Sequence, residues 1–387
     1  MAEHRRGTRN PDDRDRDDRI DTRRADGPSR RMLLAGSGAA LGLGVASGGT
    51  IGAVLALGPA TPAIPVDLLD GTICVTSARV ETVDPEGPPR KIRFAYNGTG
   101  ICTAAVPVAL HRGYFSRHNL DVEFVQFAGG TDQMLQALAT DKAEAGVSMA
   151  LNWLKPLEGG FDVKLTTGIH GGCTRLLVHR DAGITDIAQL KGKTIGVSSL
   201  SGTPRHYFAV MLADRGINQE TDVEWREFPA DLLPVALQRG EIAALADSDP
   251  AVWLARLRSN GELVEIASNL SGDYANLSCC VLGVRGTLLR ADPAASAALT
   301  ASLLEAATHV AANPTDAAEI FAPYTPKVPV TELAAMLRSH THDHHPAGEA
   351  LRKEIVRIVA DLKRASVLKG STDPERFATR VVANVLP

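Results

Sequence analysis

The groups best equipped for chemistry in this sequence are its cysteines and a tract of imidazoles. Cys102, Cys173 and the adjacent Cys279-Cys280 fall near turns that end predicted strands, and His340-Thr341-His342-Asp343-His344-His345 is a dense run of ring nitrogens. Thiolate and imidazole together are ligands for soft and borderline metals. The competing reading is structural: Cys279 or Cys280 is a small core residue of a buried strand, and the histidine tract is a solvated turn before Pro346. No C-x-x-C spacing occurs, and the expectation from sequence is therefore no metal ligand and no stoichiometric transition metal.

A second set suits recognition of an oxyanion. Thr99, and Thr131 after Gly129-Gly130, stand between a strand and a helix, where hydroxyls and backbone N–H groups can meet a negative charge; Thr131 serves equally as an ordinary cap. Ser199, Ser201 and Thr203 form a similar turn further on, and Ser148 ends a third strand. Asp247 and Asp249 oppose an anion and suit an amine, a guanidinium-like ring or a metal, unless one of them caps the helix beginning near Pro250. His170 and Cys173 share a turn, and Trp153 either stacks on a planar ligand or packs its own helix. The candidate ligand-binding set is Thr99, Cys102, Thr131, Ser148, Trp153, His170, Cys173, Ser199, Thr203 and Asp247.

The elements that position these residues follow from periodicity. Lys91 to Asn97 is β-branched, aromatic and apolar, breaks at Gly98-Thr99-Gly100, and gives way to an apolar helix pattern from Ile101 to Tyr114. The same order repeats at Val122 to Phe127 and Asp132 to Ala139, so a parallel sheet with ligand loops at the strand ends is expected. Two strands, Phe161 to Thr167 and Thr174 to His179, then precede a restart of the βα alternation. Leu277 to Val284 is apolar throughout, as a buried returning strand should be, and from Asp292 onward the pattern is helical. The expected class is α/β with two lobes: residues 91–179 and 275–387 form lobe one, 180–274 form lobe two, and two crossings hinge a cleft between them.

At 387 residues the chain has enough material for two lobes, and a net charge of −4 without a basic patch points away from nucleic acid. Residues 64–90 are Pro-rich and read as a linker. Residues 1–63 begin with a mixed-charge tail that cannot bury enough surface to fold. Ser29-Arg30-Arg31-Met32-Leu33-Leu34 then opens an uncharged Gly/Ala-rich run that resembles a twin-arginine export signal. A membrane anchor is the alternative, with Pro59, Pro62 and many glycines against it, and cleavage near Ala60 to Ala63 stays open. Location outside the cytoplasm is expected.

Several strings occur together in a telling order. They are Gly113-Tyr114-Phe115 with Leu120-Asp121-Val122-Glu123, Gln136-Ala137-Leu138-Ala139 before Ala145-Gly146-Val147, the run Asp186 to Val197 (DIAQLKGKTIGV), and Gly240-Glu241-Ile242-Ala243-Ala244. In this order they resemble the solute-binding proteins of ABC importers, in the branch that holds nitrate, taurine and alkanesulfonate receptors and the thiamine-pyrimidine receptors and synthases. The resemblance implies a periplasmic-binding-protein fold of type II and a monomer without cofactor. Such a protein closes on a small anionic or planar nitrogenous solute and delivers it to separate permease and ATPase subunits. Where many relatives carry a Trp-containing loop, this chain has Asp247-Ser248-Asp249-Pro250, so nitrate, sulfonate, pyrimidine and metal chelate all stay open as ligands. The alternatives are a pyrimidine-synthase-like enzyme of the same fold, a metal or metal-complex receptor, and a sensory partner. No G-x-x-x-x-G-K-S/T occurs, in keeping with a passive binder.

Overall fold

The structure is a computed structural model and describes residues 87–127 and 130–387; the export-signal segment and Gly129 lie outside the described residues. The first lobe opens with β1 (Arg90–Ala95), a short 3-10 turn at Ile101–Thr103, α1 (Ala105–His111) and α2 (Tyr114–Arg117). It continues through β2 (Leu120–Val125), α3 (Thr131–Ala139), β3 (Ala145–Met149), α4 (Ala150–Glu158) and β4 (Val163–His170). The second lobe holds β5 (Thr174–His179), β6 (Thr194–Val197), α5 (Thr203–Ala213), β7 (Glu224–Glu227), α6 (Leu233–Gln238), β8 (Ala244–Ser248), α7 (Ala251–Arg258) and β9 (Leu263–Ser268). The chain returns on β10 (Cys280–Arg285) and ends in α8 (Gly286–Ala291), α9 (Pro293–Ala312), α10 (Pro314–Phe321), α11 (Val330–Ser339), α12 (Gly348–Arg364) and α13 (Pro374–Val381).

Each lobe is built on a five-stranded sheet, in the orders β2-β1-β3-β10-β4 and β7-β6-β8-β5-β9. The sheets are mixed rather than all-parallel: β10 runs antiparallel to β3 and β4, and β5 runs antiparallel to β8 and β9. This corrects one boundary. The segment 174–179 pairs with β8 and β9, so the chain crosses between lobes at Gly171-Gly172-Cys173, before β5 rather than after it. The first crossing is the short turn 171–173, the second the longer segment 269–279 with a 3-10 turn at Gly272–Tyr274, and each leads into the antiparallel strand of the sheet it enters.

Side-chain alternation explains how β10 stays apolar throughout. Cys280, Leu282 and Val284 enter one core with β1, α1 and α9–α11, while Val281 enters the other with α3, α4, α12 and α13. Gly283 leaves room for the fully buried Trp153, whose ring carbons would lie 2.6 Å from a Cβ at that position. Trp153 is thus a core residue of the first lobe and not a stacking surface for a ligand. The second lobe repeats the scheme at smaller scale, with Leu176 and Val178 on one face of β5 and Leu177 on the other.

The crossings are close-packed. A Cβ on Gly172 would run into the Asn269 carbonyl, and the Asn269 side chain accepts a hydrogen bond from the Thr174 N–H at 2.8 Å. The Cys279 N–H donates to the His170 carbonyl at 2.9 Å, so the two crossings are bonded to each other.

Candidate functional site

A cleft of about 780 Å³ lies between the lobes. From the first lobe it is lined by the turn after β1 (Thr99, Gly100, Cys102), the start of α3 (Thr131, Asp132), the end of β3 (Ser148, Met149) and α4 (Asn152). From the second come Ser199 to His206 and the stretch Asp247 to Ala251. Of the sequence candidates, Thr99, Cys102, Thr131, Ser148, Ser199, Thr203 and Asp247 border this one space. Trp153, His170 and Cys173 do not: the first belongs to the core, and the other two lie behind Cys102 and Cys280, which form part of the lining.

Two helices of opposite lobes, α3 and α5, begin in the cleft at Gly130 and Gly202, and neither has a side-chain cap. Among the described α-helices only α9 and α13 are capped by their N-cap side chains, Asp292 and Asp373, so what distinguishes α3 and α5 is their place in the cleft. The first N–H groups of α3, and those of α5 other than at Pro204, which has none, keep their capacity, and both helices turn their positive dipole ends toward a negative group. Between them runs a chain of neutral polar groups. The Asn152 amide donates to Thr131 Oγ1 at 3.0 Å and to Ser148 Oγ at 3.2 Å, and its carbonyl accepts from Thr203 Oγ1 at 2.9 Å. Asn152 thus spans the two lobes, as do Ser201 and Asp132 at 3.5 Å. Thr99, exposed, donates to Asn97 Oδ1 at 3.1 Å.

The two aspartates differ. Asp249 is fully committed: Arg175 pairs with it at 3.1 Å, His340 Nε2 sits 2.8 Å from it, and it accepts the Trp253 N–H at 3.1 Å, so it caps the start of α7. Arg175 also pairs with Glu265 at 2.8 Å and lies over the Trp253 ring. Asp249 brings no uncompensated charge to the cleft. Asp247 does: its Oδ2 has no hydrogen-bond partner, and burial pushes its carboxyl up to about 6.

Sequence reasoning passed over Asn152, Arg205 and His206, all of which line the cleft. Arg205 is anchored by the Leu200 carbonyl and Gln219, with its Nε unpartnered. Burial first, then Arg205, lowers the His206 imidazole to about 4, so it stands neutral at physiological pH. The one signal for these two was their place directly after Thr203-Pro204, in the first turn of the helix whose start faces the site.

The histidine tract is not a solvated turn. His340 and His342 are buried, and their rings lie 5.8 and 5.7 Å from that of His170, beneath the cleft floor.

This architecture has known counterparts. The family model described as NMT1/THI5 like matches residues 103–317. Among solved structures, the periplasmic aliphatic sulphonate binding protein SsuA from Escherichia coli superposes with a TM-score of 0.62 at 18% identity, over 75% of this chain and 92% of that one. The alkanesulfonate-binding protein SsuA from Xanthomonas axonopodis pv. citri, bound to MOPS, gives 0.62 at 17% over 77% and 99%. The periplasmic nitrate-binding protein NrtA from Synechocystis PCC 6803 gives 0.61 at 13% over 76% and 86%. At such identity the likeness is one of fold. A search of curated proteins gives no match.

Proposed function

Because the chain belongs to the NMT1/THI5-like family, we propose that it is the solute-binding component of an ABC importer, capturing an organic anion between its lobes and passing it to separate permease and ATPase subunits. The observation that carries this reading is the convergence of the uncapped starts of α3 and α5, one from each lobe, on a single cleft bridged by Asn152 and Thr203. A negative headgroup held there touches both lobes at once, so binding and closure are one event.

Size narrows the solute. A cleft of about 780 Å³ is in the range of organic ligands and far exceeds a bare oxyanion. With Asp249 paired to Arg175, the lining carboxylates without an ion pair among the described residues are Asp132 and Asp247, and the buried Asp247, with an unpartnered Oδ2, suits an amine. A taurine-like amino-sulfonate satisfies both ends, with the sulfonate at the helix starts and the ammonium at Asp247. A planar nitrogenous solute is the variant of the same reading, with His206 as its neutral neighbour. Export through the twin-arginine segment places the receptor outside the cytoplasm, where it works as a monomer. Among the described residues no helix is long and apolar enough to cross a membrane.

The test is a thermal-shift and calorimetric panel of nitrate, simple alkanesulfonates, taurine and thiamine-type pyrimidines. A receptor is stabilised by mass action and returns its ligand chemically unchanged. Amino-sulfonates are expected to give the largest shift and nitrate the smallest. Turnover of a pyrimidine, or no stabilisation by any member of the panel, would defeat the proposal.

A further inference from the structure

Directly behind the cleft floor, five side chains from well-separated segments meet. Cys102 follows β1, His170 ends β4, Cys173 lies in the first crossing, and Cys279 and Cys280 come from the second crossing and the start of β10. In each of two triads, Cys102/His170/Cys173 and His170/Cys279/Cys280, the donor atoms all lie within 4.8 Å of one another. Cys173 and Cys280 are fully buried, and His170 is 1% exposed. Neither ring nitrogen of His170 has a hydrogen-bond partner, which is a costly arrangement for a buried imidazole in an otherwise well-bonded fold.

From this juxtaposition we infer that the floor of the cleft is a binding site for one soft transition-metal ion, with His170, common to both triads, and thiolates drawn from Cys102, Cys173, Cys279 and Cys280 as its ligands, up to four in all. Soft thiolate donors with imidazole select zinc(II) or copper(I) over the hard divalent ions. The proposal departs from the expectation drawn from spacing along the chain, because here the fold, rather than a local motif, would assemble the ligands. Coordination gives the His170 nitrogen the partner it lacks. An ion here also ties both inter-lobe crossings to the turn after β1, and so sits on the hinge. The inference does not depend on the identity of the solute.

The experiment uses the full chain, purified under reducing conditions and stripped with a chelator, then titrated anaerobically with cobalt(II) as a reporter and with zinc(II) and copper(I). One equivalent of cobalt should give thiolate-to-metal charge-transfer absorption, be displaced by zinc or copper, and raise the melting temperature. Cys102→Ser, His170→Gln and Cys279→Ser should each weaken the site by at least roughly ten-fold. Should Cys279→Ser fail to fold, Cys102→Ser and His170→Gln carry the test. Metal binding that survives these substitutions unchanged lies elsewhere and overturns the inference. So does absence of the charge-transfer band. Cys173 and Cys279 have sulfurs 3.5 Å apart, so a thiol count after unfolding without reductant gives a third check. A disulfide between them, seen as two missing thiols, consumes the ligands and overturns the inference as well.

Discussion

The walls of the cleft and the interior beneath its floor satisfy their polar groups in different ways. In the walls, Thr131, Ser148, Asn152 and Thr203 bond one another across the lobes, leaving the starts of α3 and α5 to a ligand. Beneath the floor, thiols and imidazoles crowd together with ring nitrogens of His170, His340, His342 and His345 unpartnered. Neutral hydroxyl networks can open and reclose at little cost, which suits capture and release. Buried donors that lack partners cannot be solvated in place, so that region is built to be held together. Between the two stands Asp249, which lines the cleft on one side and fixes His340 on the other.

The largest effect should therefore come from Arg175, whose guanidinium holds Asp249 and Glu265 in the second lobe and Ser339 on α11 of the first. Arg175→Met leaves Asp249 with His340 alone and is expected to destabilise the fold by about 3–5 kcal/mol, the cost of stranding a buried charge. Urea denaturation measures it. The double variant Arg175→Met with Asp249→Leu should lose much less, since the fully buried carboxylate is gone and Glu265 keeps its pairing with Arg256. A single-variant loss below about 1 kcal/mol, the range of exposed pairs, would erase the distinction drawn between wall and interior.

That pair also shows what could be read in advance. The apolar run of Leu277 to Val284, the Gly98-Thr99-Gly100 break and the repeated strand-turn-helix order located nearly every element, because those signals are local. The α/β class and the two lobes followed from them, and the binding-protein architecture was what the family resemblance implied. Sheet membership of β5 did not, since nothing within Thr174 to His179 says which neighbours it will pair with. Asp249 was legible as a possible helix cap, yet its partners Arg175 and His340 lie far away in sequence, and only the fold reveals the neutralisation. His340 and His342 read as solvated because polar tracts usually are; packing against His170 removed them from water. Asn152 was invisible as a site residue, its role being set by Thr203 across the cleft.

Asp247 sharpens the comparison through pH. Its folded value of about 6 lies above the ordinary 3.8, so the native state binds the proton more tightly than the unfolded chain. The sign follows: the group penalises the fold above about pH 6, and the penalty fades as pH falls toward 4. Asp247→Asn should stabilise the protein at pH 7.5 by on the order of 2 kcal/mol, with the gain vanishing near pH 4. Thermal unfolding across that window reads it. The same variant should lose affinity for a taurine-like ligand while keeping or gaining it for a plain alkanesulfonate. Equal loss for both would remove the ammonium from the account and leave Asp247 a structural residue of β8.

The smallest change tests the wall itself. Thr203→Val keeps the shape of the side chain and deletes the hydroxyl that donates to Asn152, a hydrogen bond whose two ends belong to different lobes. A net cost of about 1 kcal/mol is expected, because the Asn152 carbonyl is left buried without its donor. Opening the lobes exposes that carbonyl to water, so the cost falls on the closed state. Ligand binding, which requires closure, should weaken about five-fold, while Thr203→Ser, which restores the hydroxyl, should bind as wild type. Calorimetry with the best ligand of the panel distinguishes this from a packing effect. If valine and serine lower affinity alike, the missing methyl or the altered helix start matters, and the hydroxyl bridge plays no part in closing the cleft.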